Sequence, residues 1–162
     1  MNQIRPIALC VFHHNNRILV FEGYDKVKDE IFYRPLGGGI EFGERSEEAV
    51  RRELKEELNV DITDLKYLGM LENIYTFNGG SYHEVVMVFD GTLIEPGLYE
   101  QDMILGKEAN GDNIRAMWKA LDEFGEGKSI LYPPGLMDML LPRAPHDTRD
   151  NEEMNVQFLG GL

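Results

Sequence analysis

Between Gly38 and Val60 the chain couples a glycine run to a short helix with one acid-crowded edge. Gly37, Gly38 and Gly39 are adjacent, and glycine permits close backbone approaches that a side chain would block. Ser46 is the expected N-cap, with Glu47 and Glu48 in the first turn, where the helix dipole favours acids. The spacing predicts a helix over 47–58. Val50, Leu54 and Leu58 recur every fourth position and form an apolar stripe that has to pack on another layer. Asn59 follows, and Asn tolerates the left-handed conformation that ends helices.

Strand patterns surround this unit. Residues 4–12 and 18–23 read as a hairpin about the polar stretch His13 to Arg17, whose Asn15–Asn16 pair suits a tight turn. Residues 24–31 read as a charged loop, and Phe32 to Arg34 as a short extended piece before Pro35. The glycine-rich segment 35–44 reads as a loop. Leu65–Phe77 and Tyr82–Ile94 read as long strands flanking Asn78–Gly79–Gly80–Ser81, a hairpin signal. The apolar run Val85 to Phe89 suits a central strand buried on both faces. Residues 95–113 read as a mobile acidic loop, Ile114–Trp118 as a short strand and Leu121–Phe124 as a helical turn. Pro134–Leu141 reads as a helix opened by proline. Two strands, a helix, further strands and terminal helices imply a mixed α/β domain with helices covering a sheet. That domain is expected over residues 1–141, followed by a flexible or docked C-terminal tail over 142–162.

The 162 residues suit one compact domain. The 16 Lys+Arg against 29 Asp+Glu give a net charge of −13. This argues against a nucleic-acid partner, which selects a basic footprint. It does not exclude a small anionic substrate, because a divalent cation inverts the local charge. Nothing approaches ~18 consecutive apolar residues, so no membrane span is expected. The N-terminal residues carry no secretory leader pattern and Cys10 is the single cysteine, which together suit a cytoplasmic protein without disulfides. Cys10 itself reads as a small core hydrophobe. The four histidines lack zinc-ligand spacing.

On the predicted helix Glu53 has Glu57 at i+4 and Glu56 at i+3, so three carboxylates share one face. Like charges at this spacing are unfavourable alone, and Mg2+ or Mn2+ would supply the missing positive charge. The plain alternative is a solvated face laced with pairs such as Arg52–Glu56.

These residues resemble the signature of the Nudix hydrolases, the MutT-like diphosphate hydrolases. Gly38 is followed after five residues by Glu44, and after seven more by Arg52, Glu53, Leu54, Lys55, Glu56, Glu57, Leu58, Asn59 and Val60. Asn59 stands where the pattern has glycine. The resemblance extends more loosely over about residues 4–141 and does not cover the tail. It implies a Nudix-like α/β/α sandwich around a mixed β-sheet. It implies Mg2+- or Mn2+-dependent cleavage of the phosphoanhydride of a nucleoside diphosphate linked to another moiety, of nucleoside triphosphate or nucleotide-sugar type. Glu53, Glu56 and Glu57, with a backbone carbonyl near Gly37 or Gly38, would hold the metal. Arg52 would orient a signature carboxylate, and Glu44 would brace the loop and helix. The catalytic set is then Arg52, Glu53, Glu56 and Glu57. The alternatives are a catalytically inactive Nudix-fold nucleotide-binding module and a different magnesium-dependent phosphatase.

Other roles are less determined. Glu53 is the first choice as general base, and Glu100, Asp102, Glu108 and Asp112 in the acidic segment are the others, Glu108 foremost. Arg34 either grips a substrate phosphate or pairs with a glutamate. Gly38, Gly39 and Glu108 complete the expected substrate-binding set. Tyr24, Phe32, Tyr75, Phe77 and Tyr82 serve base stacking or, more commonly for such residues, packing. His83–Glu84 opens the strongest strand at a point that can face a cleft, with a structural or surface role the safer reading for His83. The expected partner is a small-molecule nucleoside diphosphate derivative, and a homodimer, with residues 154–162 taking part, stays open.

Overall fold

A computed structural model describes residues 3–141, so the expected tail and the dimer contact assigned to 154–162 lie outside the described residues. The strands are β1 (Ile4–Val11), β2 (His13–His14), β3 (Arg17–Asp25), β4 (Glu30–Arg34) and β5 (Leu36–Gly39), followed by helix α1 (Ser46–Leu58). Then come β6 (Ile62–Phe77), β7 (Gly80–Leu93), β8 (Met103–Lys107), β9 (Asn113–Ala120) and the short helices α2 (Leu121–Gly125) and α3 (Leu136–Leu140). A mixed sheet has the order β5-β1-β7-β6, with β1 and β7 parallel and the outer pairs antiparallel. An antiparallel sheet has the order β2-β3-β9-β8, and β4 pairs with β3.

Strand β1 explains the layering. Its side chains alternate between two cores, as the period of two requires. Ala8, Cys10 and Phe12 pack with Val50, Leu54 and Leu58 of α1. Ile7, Leu9 and Val11 pack with Val86, Val88, Phe124 and Leu136 on the opposite side. Helices therefore lie on both faces of the sheet system, as the expected α/β/α sandwich requires. Cys10 is fully buried, and burial first, with Asp90 nearby, raises its thiol pKa well above the ordinary range. Strand β7 is central as expected, with Val86, Val88 and Phe89 buried and Val85 and Met87 half-buried.

Several boundaries differ from expectation. Arg45, not Ser46, is the N-cap, and its backbone N–H donates to the Glu48 carboxylate at 2.9 Å. The glycine run is not a loop: Gly37, Gly38 and Gly39 pair with Leu9, Ala8 and Ile7 across the β5–β1 ladder. The charged segment 24–31 is half strand and half turn, and Asp25 is buried where it accepts the backbone N–H groups of Val27 and Lys28 in the β3–β4 turn. Residues 95–113 are built rather than loose. Pro96–Tyr99 forms a 3-10 turn, and β8 pairs with β9. The last helix starts at Leu136, after Pro134. Asn59 does adopt the left-handed conformation at the α1 C-cap (φ 55°). The β6–β7 hairpin turns on Asn78 and Gly79, both with positive φ, and is tighter than the four-residue connection expected.

The glycines of β5 make a test. Gly37 has φ 135°, and a Cβ there would stand 2.1 Å from the Ala8 carbonyl oxygen, whereas a Cβ at Gly39 would meet nothing within 4 Å. Gly37→Ala is therefore expected to lower unfolding free energy by at least about 2 kcal/mol, from backbone strain and overpacking. Gly39→Ala is expected to change it by less than ~1 kcal/mol. Urea denaturation of the two variants checks the contrast.

Candidate functional site

Packing of the α1 stripe on β1 turns the polar edge of the helix toward β5. There Arg52 acts as a hub. Its Nε and Nη2 donate to the two oxygens of Glu44 at 2.8 and 3.0 Å. Nη2 also donates to the Gly39 carbonyl at 2.9 Å, and Nη1 to Glu53 at 3.0 Å and Glu56 at 3.3 Å. Hydrogen bonds from Arg52 pull the Glu44 carboxyl below its ordinary range, and the same partners hold the proton on Arg52 more firmly. The i,i+4 pair Arg52–Glu56 is thus real, but it is one arm of a network that fixes the helix to the strand before it.

The Glu53 carboxylate lies against Gly38. A Cβ at Gly38 would meet the Glu53 carboxyl carbon at 2.4 Å and both oxygens within 2.7 Å. The missing side chain is the space this carboxylate fills. Glu56 remains exposed at the rim. Glu57 lines a narrow recess with Arg34 and Glu108, and its carboxyl also meets that of Glu53. Burial first, then the charges of Glu108 and Glu53, push its carboxyl pKa up to about 8.

Arg34 and Glu108 also line a cleft of about 540 Å³ between the two sheets. The Arg34 Nε is buried without a hydrogen-bond partner, and among the described residues Arg34 enters no close ion pair, although its charge acts on Glu57. Of the four acids weighed in the 95–113 segment, Glu108 and Asp112 line the cleft, while Glu100 and Asp102 are exposed and lie outside its lining. The cleft has aromatic walls: Phe32 stands edge-on to Phe77 at 5.8 Å and to Tyr132 at 5.5 Å, and Tyr75 stacks with Tyr82 at 5.3 Å. Tyr24 also lines it. His83 points away and meets Glu72 at 2.8 Å, while its neighbour Glu84 is buried and faces the cleft. Sequence reasoning missed Asn73, Glu22 and Tyr132 on these walls. Asn73 carries the one available signal, an amide inside a long strand.

Among the described residues no three His, Cys, Asp or Glu side chains already stand together as a cation cage. Arg52 holds Glu53 and Glu56, while Glu57 meets Glu53 from the recess it lines. The donor set nonetheless fits a hard divalent cation, since it is all carboxylate oxygen and includes an acid disfavoured in its ionised form by burial and then by neighbouring acids.

The sequence profile of the NUDIX domain matches residues 3–134. The chain belongs to the Nudix family. The structural comparisons agree on the fold. A NUDIX hydrolase from Nitrosomonas europaea superposes with TM-score 0.57 and 20% identity over 85% of this chain and 86% of that one. The E. coli ORF135 protein gives TM-score 0.50 and 19% identity over 86% and 87%. The MutT NUDIX hydrolase from Burkholderia pseudomallei gives 0.50 and 24% over 75% and 86%. No helix among the described residues is long and apolar enough to cross a membrane.

The raised Glu57 pKa has a consequence for the metal-free Nudix domain. A folded-state value of about 8 against a model value of 4.5 means that the folded protein binds this proton more tightly than the unfolded chain. The associated stability is complete below about pH 4.5 and is lost as pH rises through about 8. Thermal unfolding in chelator is expected to show this decline between those limits, and Glu57→Gln is expected to flatten it. An unchanged slope in the variant would assign the decline to other groups.

Proposed function

We propose that this Nudix protein is a Mg2+- or Mn2+-dependent hydrolase that cleaves the phosphoanhydride of a nucleoside diphosphate linked to another moiety. Family membership supports hydrolase activity in general; the metal, the residues and the substrate class are this reading's own. The observation that carries it is the junction at Arg34 and Glu108, where the carboxylate recess of Glu57 opens toward the aromatic cleft. Glu53, Glu56, Glu57 and the Gly38 carbonyl would hold the metal, which supplies charge neutralisation at the phosphate oxygens and acidifies bound water.

The protein's own groups do the rest. The Arg34 guanidinium, with its Nε unpaired, donates to a phosphate oxygen and aligns the diphosphate between recess and cleft. Gly38 and Gly39 leave the strand surface bare, so a phosphate can approach the backbone. Glu53 takes a proton from the water that attacks phosphorus as the P–O–P bond breaks, and Arg52 keeps its carboxylate in place. Glu108 lines both the recess and the cleft with Arg34. The aromatic walls accept the moiety beyond the phosphates. The intact Glu53, Glu56 and Glu57 speak against a catalytically inactive binding module.

Hydrolysis of a panel of nucleoside triphosphates and nucleotide sugars with Mg2+ or Mn2+, with products identified, tests the reaction. Release of pyrophosphate or of two monophosphate products is expected; release of inorganic phosphate from monoesters alone would overturn it. Glu57→Gln is expected to lower kcat/KM by at least about a hundredfold, beyond the range typical of residues that only support a metal ligand. Gly38→Ala would displace the Glu53 carboxylate, the movable end of a side chain, and not backbone. It is expected to cost activity on the order of tenfold or more with little change in Tm, the opposite of Gly37→Ala.

A further inference from the structure

The three buried polar or charged residues among the described residues, Asp25, Asn73 and Glu84, all line the cleft. Asp25 is accounted for by its turn. The other two are not. Asn73 and Glu84 are directly opposite each other on β6 and β7, so their side chains share one face and stand within about 5.5 Å at Cβ. Asn73 is 7% exposed, and its amide is not sealed away unpaired as the Arg34 Nε is. Glu84 is 3% exposed. Its Oε1 accepts the Tyr75 hydroxyl at 2.9 Å and has an Arg5 nitrogen at 3.7 Å, while Oε2 has no such partner among the described residues. Tyr75 stays a donor: burial first, then the Glu84 charge, push its pKa up to about 12.

Both residues line the cleft and neither contributes a sealed, unpaired atom, so the amide and the adjacent carboxylate face the space a ligand's polar edge would enter. A carboxylate only accepts hydrogen bonds, so the edge facing Glu84 has to donate. That edge cannot be a phosphate. The cleft carries six carboxylates against three cationic side chains, and Arg34 is the cation nearest the Glu57 recess. A neutral, flat group fits, with the Tyr75–Tyr82 stack available to its face.

We propose that Asn73 and Glu84 are the specificity pair of this site, reading the edge of a guanine-type base that presents N–H donors to Glu84 and a carbonyl oxygen to the Asn73 amide. This deepens the hydrolase reading and rests on it for the kind of ligand. The base enters at the strand-pair end of the cleft with its phosphates toward Arg34. Adenine places a ring-nitrogen lone pair where guanine places an N–H, so it faces the carboxylate with one donor fewer. A good two-point contact of this kind discriminates by about tenfold or more.

Calorimetric titration of the full chain with GDP, ADP, CDP and UDP in Mg2+ reads this without turnover. GDP is expected to bind about tenfold or more tighter than ADP. Glu84→Gln and Asn73→Ala are expected to bring GDP to the ADP level while leaving ADP affinity and Tm nearly unchanged. Asn73→Asp, which turns an acceptor toward the carbonyl, is expected to weaken GDP further. Equal affinity for the four nucleotides would overturn the proposal, as would variants that lose all four alike. A preference that follows ribose against deoxyribose in GDP and dGDP, and not the base, would do the same. Should Glu84→Gln unfold, the two Asn73 variants decide alone. Base-selective binding without any cleavage in the product panel would sink the hydrolase reading and leave the specificity pair standing.

Discussion

The fork of Arg52 is the contact on which the site depends. One side chain reaches Glu44 in the connection before α1, the Gly39 carbonyl at the end of β5, and Glu53 and Glu56 on the helix itself. A guanidinium has the donors and the planar shape to do this, and an ammonium does not. The apolar stripe determines which face of α1 is inward. Arg52 fixes the polar edge relative to the strand, and so fixes where three carboxylates sit. Hydrogen bonds to ionised partners are among the stronger ones, and these are shielded by the packed helix on one side.

The three successive glycines of β5 divide the labour differently from what a glycine loop suggests. Gly37 brings backbone onto backbone at Ala8, in a conformation an L side chain rarely adopts. Gly38 makes room for a carboxylate, and Gly39 supplies the carbonyl that Arg52 grips. The chain ties fold and site together at adjacent positions: one substitution tests strand pairing, the next tests Glu53, and the third has open space.

What was legible in the sequence follows the range of the interactions. Helix α1, its stripe and the Asn59 cap are local, with periods of three and four residues, and they stand where spacing put them. So does the carboxylate pattern within that helix. The N-cap slipped by one residue because Glu48 bonds the backbone of Arg45, and a side-chain rule favoured the better capping residue. Strand β8 was hidden because Met103–Lys107 is a short run within an acidic, glycine-bearing segment. Its pairing with β9 and the approach of Gly106 to the Glu57 carbonyl are tertiary facts. Asn73 was overlooked for the same reason, and Glu84 was placed near a cleft without its partner. Each is an ordinary polar residue in its own strand, and only the β6–β7 register makes them a pair.

The acidity that opens the question of anionic substrates is distributed with a purpose the net charge hides. At the helix end, burial and then the neighbouring acids raise the Glu57 pKa, an arrangement that the proposed divalent cation would relieve. At the strand end, Glu84 is buried against Tyr75 with one oxygen open, an arrangement that a neutral donor relieves. Arg34 stands where the recess and the cleft meet. A ligand satisfying all three has to be anionic in the middle, screened by a cation at one end and rich in N–H donors at the other. On the proposed reading, that sequence of demands would orient a nucleotide along the cleft and disfavour its reverse, because a phosphate at Glu84 would meet a buried negative charge.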